Sequence, residues 1–370
     1  MQLESTRIVA ALVCGICVQG AVGCRNGASE PSERHPRAST SRALQPPAAA
    51  AVGSSQPRSF RLIETGGIGF DDLFFSPELR AVLVPAGGTG CVNLFDGSSL
   101  SKTALCGISS AGSYSGGHGE GTTSADVGMG FVFAIDRTSR TLKVVNPKSK
   151  EIVATAALGA NPDYVRWVNS NHEVWVTEPD GRQIELFAVS SDVPPKVTRT
   201  TSIAVKGGPE SLVLDTERGR AFTHLWNGRS VQIDLATHAI GRDFANGCQG
   251  SRGIGLDPDK GFLFVGCAEG KAVVLDVERK QVLDSRLVPS GVDIVAINKT
   301  LHHFYVPAAS DGTVTVLGVS ARGNLTPLGT VQTAKGAHCV ASDDHNRVWI
   351  CAPDDGSVTV FDDNFPAVSE

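Results

Sequence analysis

Residues 347–362 read RVWICAPDDGSVTVFD, with a short apolar alternation on each side of Asp355-Gly356. A Gly turn in such a setting predicts a β-hairpin with a two-residue turn of type I′, because that turn requires positive φ. Four similar turns stand upstream, at Asp180-Gly181, Asn227-Gly228, Glu269-Gly270 and Asp311-Gly312. The five glycines are 47, 42, 42 and 44 residues apart, so the stretch is one copy of an internal repeat.

Two looser copies precede these five. Phe131–Val145 repeats the pattern around Thr138-Ser139-Arg140, and Ala81–Asp96 repeats it around Gly88-Thr89-Gly90. A shorter apolar stretch opens each copy, and a further strand closes most of them. Seven copies of four strands, at a period of about 40–50 residues, predict an all-β fold, the seven-bladed β-propeller with four-stranded blades.

The two ends of the repeat region predict how the ring closes. The seventh copy, His338–Asp362, supplies only three strands, whereas Ser59–Glu64 alternates like a strand ahead of the first copy. We expect this N-terminal strand to complete blade seven, because pairing the two ends leaves no open sheet edge. The propeller is therefore predicted to occupy residues 59–370.

The repeat also carries a family resemblance. The stretch at 347–362, together with His303–Val306 and the strand that follows it, resembles the YVTN repeats of YncE-like propellers. The resemblance covers about residues 59–362 and implies the seven-bladed fold. That family has varied roles, so the resemblance implies no particular function.

The beginning of the chain has a different pattern. Ile8–Gly23 is apolar, uncharged and short for a membrane span, so residues 1–23 are predicted to be a signal peptide. Ala21-Val22-Gly23-Cys24 resembles the bacterial lipobox, which implies cleavage before Cys24 and a lipid on that residue. The alternative is an ordinary secretory signal cleaved at the same bond. We expect an exported lipoprotein of the bacterial cell envelope, in the periplasm or at the cell surface, anchored to the membrane by its N-terminal lipid.

Composition limits the partners. Residues 24–58 are rich in Ser, Pro, Ala and Arg, and we expect a disordered tether there, because they have little apolar surface to bury. The formal net charge is -5 with both signs interspersed, whereas nucleic-acid binding requires a basic stripe. We expect a monomer with no nucleic-acid partner.

Six cysteines lie within the predicted propeller, each near a predicted hairpin. They form three candidate disulfide pairs: Cys91 with Cys106, Cys248 with Cys267, and Cys339 with Cys351. Residues at equal distance from a turn face each other on antiparallel strands, within reach of a disulfide. An even count in an oxidising compartment favours three bridges. Six buried free thiols are the alternative.

The residues just before each innermost strand predict a ligand site. The loops that lead into these strands surround one mouth of a propeller channel, and in this chain they carry ionisable side chains. These are Asp71, His118, Glu120, Asp163, Glu210, Arg252, Asp293 and His338. Convergent ionisable groups in a concave site indicate binding, although polar residues also suit solvated loops. Four carboxylates predict a negative potential there, suited to a cationic ligand, a metal ion or a basic peptide segment.

One of these loops, residues 116–121 (GGHGEG), differs from the others. Its bare backbone permits close approach to a ligand. His118, Glu120 and His338 are residue types that bind a divalent metal ion, but their spacing is not specific to any metal. A surface loop without a ligand is the alternative, and no cofactor is predicted.

Two classes of function remain. The first is a binding scaffold for a protein, peptide or glycan ligand at the cell envelope. The second is a propeller hydrolase of the lactonase type, with His118, His338 and nearby carboxylates as acid–base or metal groups. The fold supports both classes. Because no dedicated catalytic motif is present, the sequence favours the binding scaffold.

Overall fold

A computed structural model describes residues 56–369, which form 28 β-strands and no helix. The strands assemble into seven four-stranded antiparallel sheets, so the predicted seven-bladed β-propeller is confirmed. Within this range no helix is long and apolar enough to cross a membrane. The predicted signal peptide, Cys24 and nearly all of the tether lie outside the described residues.

The first three blades follow one another along the chain, each from its innermost to its outermost strand. Blade one contains β2 (Phe74–Ser76), β3 (Ala81–Pro85), β4 (Cys91–Asp96) and β5 (Lys102–Cys106). Blade two contains β6 (Ala125–Gly128), β7 (Phe131–Asp136), β8 (Thr141–Asn146) and β9 (Glu151–Ala157). Blade three contains β10 (Val165–Val168), β11 (Glu173–Glu178), β12 (Gln183–Val189) and β13 (Val197–Ala204).

The remaining blades continue this order. Blade four contains β14 (Val213–Asp215), β15 (Arg220–Leu225), β16 (Arg229–Asp234) and β17 (Phe244–Ala245). Blade five contains β18 (Ser251–Asp257), β19 (Phe262–Cys267), β20 (Lys271–Asp276) and β21 (Gln281–Leu287). Blade six contains β22 (Ala296–Asn298), β23 (His303–Ala308), β24 (Thr313–Val319) and β25 (Leu325–Gln332). Blade seven contains β26 (Val340–Ser342), β27 (Arg347–Ala352) and β28 (Ser357–Asp362), with β1 (Arg58–Arg61) as its outermost strand.

Strand β1 closes the ring as the sequence predicts. It pairs antiparallel with β28, with Phe60 opposite Val358. The Phe60 ring lies 5.3 Å from that of Phe95 in blade one and 6.1 Å from that of Trp349 in blade seven, centroid to centroid. The strand is shorter than the predicted Ser59–Glu64, because regular pairing ends at Arg61. Aromatic packing therefore joins blade seven to blade one at the closure.

The hairpin turns differ from the two-residue type I′ turns that the sequence predicts. Leu225 pairs with Arg229, which leaves a three-residue loop, and Glu178 pairs with Gln183, which leaves four. Gly228 occupies the last loop position with φ 77°, the left-handed conformation that closes a hairpin loop of this length. The predicted loop length was wrong. A glycine with positive φ occurs both in two-residue loops and in longer ones, so its presence does not determine the length of the loop.

The core lies between the faces of neighbouring blades. Phe133 of β7 stacks on Trp167 of β10 with ring centroids 5.4 Å apart, and Phe264 of β19 contacts Phe304 of β23 at 4.9 Å. All four rings are buried. Burying an aromatic side chain contributes about 1.5–3 kcal/mol, so this packing fixes the angle of each blade and the position of its loops.

Two of the three predicted disulfides are present. Cys91 is bonded to Cys106 on adjacent strands of blade one, and Cys248 is bonded to Cys267 in blade five. The third bridge is not formed, and Cys339 and Cys351 are buried free thiols. The Cys351 sulfur instead accepts a hydrogen bond from the backbone N–H of Cys339 at 3.1 Å. This pair lies at the inner edge of blade seven, next to His338.

Candidate functional site

The loops that precede the innermost strands converge on one cavity of about 520 Å³, here called the mouth. Seven of the eight predicted site residues line it: Asp71, His118, Asp163, Glu210, Arg252, Asp293 and His338. The eighth, Glu120, lines a neighbouring cavity instead. The equivalent offset in each repeat therefore predicts the position of these side chains, because every innermost strand is reached from the same end of the ring.

Nine further residues of the mouth were missed by the sequence reasoning. Five of them have polar or charged side chains: Arg137, Asn161, Tyr164, Asp180 and Trp226. Arg137 directly follows β7, and Trp226 directly follows β15. In an antiparallel blade, the turn between the second and third strands lies at the same end as the loop into the first. The residue after the second strand of each repeat was therefore an available signal.

A chain of ion pairs crosses one side of the mouth. His118 Nδ1 lies 3.0 Å from Asp71 Oδ2, and Arg137 Nη1 lies 3.6 Å from that oxygen. The same Arg137 nitrogen donates to Asp163 Oδ1 at 2.9 Å. Burial would raise the pKa of Asp71, but His118, Arg137 and His338 outweigh it and hold the pKa below its ordinary value. In turn, the charge of Asp71 raises the pKa of His118.

A second group of contacts lies around Glu210. Arg252 Nη1 donates to Glu210 Oε1 at 2.8 Å, and the Trp226 indole N–H donates to the other carboxylate oxygen. The Arg252 guanidinium also lies over the Trp226 ring, 5.7 Å from its centroid. Even with these partners, burial raises the pKa of Glu210 to about 7. Glu210 therefore changes charge close to neutral pH.

Asp293 differs from the other three predicted carboxylates of the mouth, and from Asp180, which is exposed to solvent. Within residues 56–369 it makes no hydrogen bond and no ion pair, and its side chain is partly exposed to the cavity. Burial and then the charge of Asp71 raise the pKa of Asp293. Burial and the charge of Asp71 also raise the pKa of Asp163 well above its ordinary value. An unpaired carboxylate that faces a cavity can accept a hydrogen bond from a ligand.

His338 is a fixed cation of the mouth. Its Nδ1 lies 2.6 Å from the carbonyl oxygen of Gly336, and its Nε2 lies 3.0 Å from that of Phe70. Since both partners can only accept, both ring nitrogens donate and the ring is protonated. Burial opposes this charge, but Cys351, Asp293 and the two carbonyl groups raise the pKa of His338 to about 9.

Cationic groups reduce the predicted negative potential of the mouth. Its five carboxylates, the four predicted ones and Asp180, are accompanied by four cationic groups: Arg137, Arg252, His118 and His338. Arg137 was missed, and the pKa values of both histidines are raised. Burial also raises the pKa values of Asp163 and Asp293, and that of Glu210 to about 7, so the mouth becomes more negative as pH rises.

Metal binding by His338 is not supported. A metal ligand must be a neutral imidazole with a free lone pair, and both His338 nitrogens are engaged as donors. His338, Cys339 and Cys351 do bring one ligand atom each within 4.8 Å of one another. Among the described residues, His118, Glu120 and His338 do not form a group with ligand atoms within 4.8 Å of one another, and Glu120 and His338 line different cavities.

Comparisons with known proteins agree on the fold. No protein-family model matches the sequence, and no curated protein matches it. A chain in the crystal structure of the mitotic checkpoint complex is similar over 92% of this chain and 99% of that chain, with a TM-score of 0.68 and 12% identity. A chain of Kuenenia stuttgartiensis hydrazine synthase is similar over 81% of this chain and 97% of that chain, with a TM-score of 0.64 and 14% identity. At these identities the likeness shows the propeller fold alone.

Proposed function

We propose that this chain is an exported, lipid-anchored β-propeller of the bacterial cell envelope, akin to the YncE-like YVTN proteins, that binds a cationic group of its ligand in the mouth. The observation that carries the binding proposal is Asp293, a carboxylate that faces the cavity without a partner among the described residues. Asp163 and Glu210 lie in the same cavity and also resist ionisation. A ligand cation would restore all three charges, so its binding is coupled to their ionisation.

Export and anchoring rest on other features. The apolar segment 8–23 ends at Cys24, in a pattern that resembles a lipobox. The two disulfides favour an oxidising compartment, because such bonds are rare where glutathione and thioredoxin keep thiols reduced. Replacement of Cys24 with Ala should move the protein from the membrane to the soluble fraction. Unchanged membrane association of Cys24→Ala would contradict the lipid anchor.

The binding proposal is tested by calorimetry with N-acetyl-lysine methylamide, a blocked single cation. Asp293→Asn should weaken its binding about tenfold or more, since a hydrogen bond to a charged group contributes about 1.5–3 kcal/mol. The matched control is Asp311→Asn, an exposed carboxylate on the turn after β23 of the same blade that does not line the mouth. Equal affinities of wild type and Asp293→Asn would refute the site.

An organic cation fits the mouth better than a divalent metal ion. Asp71, Asp163 and Glu210 each already have an arginine partner within 4.0 Å, and those guanidinium groups repel a metal ion. Titration with calcium chloride under the same conditions separates the two ligands. We expect weaker binding of calcium than of the blocked lysine.

A hydrolase is the second candidate, and one contact favours it. Nδ1 of His118 lies 3.0 Å from Asp71 Oδ2, within ion-pair distance but without the geometry of a hydrogen bond. A rotation of the ring that completes this hydrogen bond would leave Nε2 to activate a water molecule, as in a general base oriented by a carboxylate. A panel of small lactones and esters tests it, with His118→Gln as the variant. Turnover by wild type that His118→Gln abolishes would support catalysis.

A further inference from the structure

A second cavity of about 640 Å³ adjoins the mouth, and His118 lines both. Its walls come from the connection between β1 and β2, from Gly88-Thr89, and from residues 111–120. We call this second cavity the groove. Eight glycines between residues 66 and 119 contribute to its surface, so much of the wall is bare backbone.

The main-chain groups of the groove are available to a ligand. Within the described chain, no backbone N–H or C=O of residues 112–120 makes a hydrogen bond. Nine consecutive peptide units thus have both their donors and their acceptors open. An added Cβ at Gly112 or Gly119 would meet no atom within 4 Å, so a partner backbone can approach closely there.

This loop is nevertheless held in place at two points. The Tyr114 ring packs on Gly67, where an added Cβ would lie 2.3 Å from the ring. The side chain of His118 lies 3.0 Å from Asp71 in an ion pair. Both contacts fall within the open segment and restrict its movement, which reduces the entropy lost when a ligand binds.

The charged side chains of the groove determine which ligand charge it accepts. Its lining contains no lysine and no arginine. Its one carboxylate, Glu120, is exposed and makes no hydrogen bond or ion pair within residues 56–369. The groove therefore accepts a neutral or basic segment and disfavours an acidic one.

We infer that the groove binds an extended peptide whose lysine or arginine side chain occupies the mouth. This inference rests on the proposed function, because the mouth supplies the site for the cation. The peptide backbone forms hydrogen bonds with the open main-chain groups of residues 112–120, which do not form a strand, because Gly116 and Gly117 have positive φ. A further basic residue of the peptide would meet Glu120.

The test compares two probes of different length. One is N-acetyl-lysine methylamide, and the other is a blocked pentapeptide with lysine at its centre and glycine and serine around it. Wild type should bind the pentapeptide about tenfold more tightly than the blocked lysine, which corresponds to about 1.4 kcal/mol. Gly119→Leu and Gly112→Leu fill the groove without backbone strain, since neither glycine has positive φ. Both variants should bind the pentapeptide only as tightly as the blocked lysine, and their affinity for the blocked lysine should equal that of wild type.

Controls separate the groove from the mouth. Ser170→Leu changes an exposed residue in the turn between β10 and β11, at the opposite end of blade three, and should bind both probes like wild type. Asp293→Asn should weaken both probes equally. A tetramer of glucosamine is the third probe, because it is a cationic chain without a peptide backbone.

Four results would overturn the inference. In the first result, wild type binds the pentapeptide no more tightly than the blocked lysine. In the second, both leucine variants bind the pentapeptide as tightly as wild type does. Either result would mean that the probes bind in the mouth alone. In the third result, the glucosamine tetramer binds more tightly than the blocked lysine and the pentapeptide does not, which would indicate that the groove binds a glycan. Failure of every probe to bind wild type would contradict the proposed function as well.

Discussion

Asp71 and Asp72 are neighbours in the chain and equally buried, each with 3% of its surface exposed, yet their surroundings differ. Asp71 faces the mouth, where it shares His118 and Arg137 with a cluster of ionisable groups. Asp72 joins what we call the channel cluster, which consists of Asp72, Ser124, Asp126 and Arg166 on or beside the innermost strands.

The channel cluster is saturated. Arg166 donates to both oxygens of Asp72, at 2.6 and 3.0 Å, and Ser124 donates to Asp72 at 2.6 Å. Asp126 accepts from the backbone N–H groups of Val127 and Trp167, both at 2.7 Å. Burial nevertheless raises the pKa of Asp126 to about 6. In the mouth, by contrast, Asp293 has no such partner among the described residues, and buried polar atoms of Asp71, His118 and Arg137 make no hydrogen bond. A saturated cluster holds the innermost strands together, whereas an unsaturated one is suited to a ligand.

The largest effect should come from breaking the channel cluster. Arg166→Met removes a buried cation and leaves the carboxylate of Asp72 without compensation. We expect a loss of about 3–5 kcal/mol in the free energy of unfolding, measured by urea denaturation. The double variant Asp72→Asn/Arg166→Met should lose much less, since the carboxyl group that remains, Asp126, keeps its two backbone N–H donors. A single variant as stable as wild type would show that this cluster does not support the fold.

Replacing Glu210 in the mouth with a neutral side chain should have a smaller effect on the free energy of unfolding, and that effect depends on pH. The pKa of Glu210 is raised from 4.5 to about 7, so its stabilising contribution is complete below 4.5 and is lost as pH rises through 7. Glu210→Gln cannot ionise and avoids this loss. Relative to wild type, the variant should gain on the order of 1 kcal/mol between pH 5 and pH 8. A relative loss of stability over this range would mean that the carboxylate form stabilises the fold.

The smallest effect should come from Cys351, which lies beneath the mouth. Burial opposes the Cys351 thiolate, but Cys339 and His338 lower the pKa of the thiol to about 7. The thiolate in turn raises the pKa of His338. Cys351→Ala should therefore lower the pKa of His338, as measured by NMR titration of its ring protons. An unchanged titration would show that the carbonyl groups of Gly336 and Phe70 suffice to hold the charge.

The sequence predicts the fold well because the repeat carries it. The five hairpin glycines and the two looser copies upstream predict the number of blades, and the alternation at Ser59–Glu64 predicts the closing strand. The same offset predicts seven side chains that line one cavity, because equivalent positions of a repeat lie at equivalent places around the ring.

What the sequence could not supply is the pairing of the side chains. That Arg137 bridges Asp71 and Asp163 depends on the angle between blades, which aromatic packing sets. That both nitrogens of His338 meet carbonyl groups depends on the course of two loops far apart in the chain. The third disulfide was predicted wrongly for the same reason. The distance of Cys339 and Cys351 from a turn predicts that they lie opposite each other, but it does not predict the side-chain rotamer of Cys351.

The most direct test of the account is the pH dependence of cation binding by the mouth. Calorimetry with N-acetyl-lysine methylamide, in two buffers with different ionisation enthalpies, gives both the affinity and the number of protons exchanged. We predict that affinity rises from pH 5.5 to pH 8 and that binding releases protons, because the ligand favours ionised Asp163, Glu210 and Asp293. Both effects should shrink in Asp293→Asn. Affinity that stays constant or falls over this range, without proton release, would contradict the claim that the unsaturated carboxylates of the mouth bind a cation.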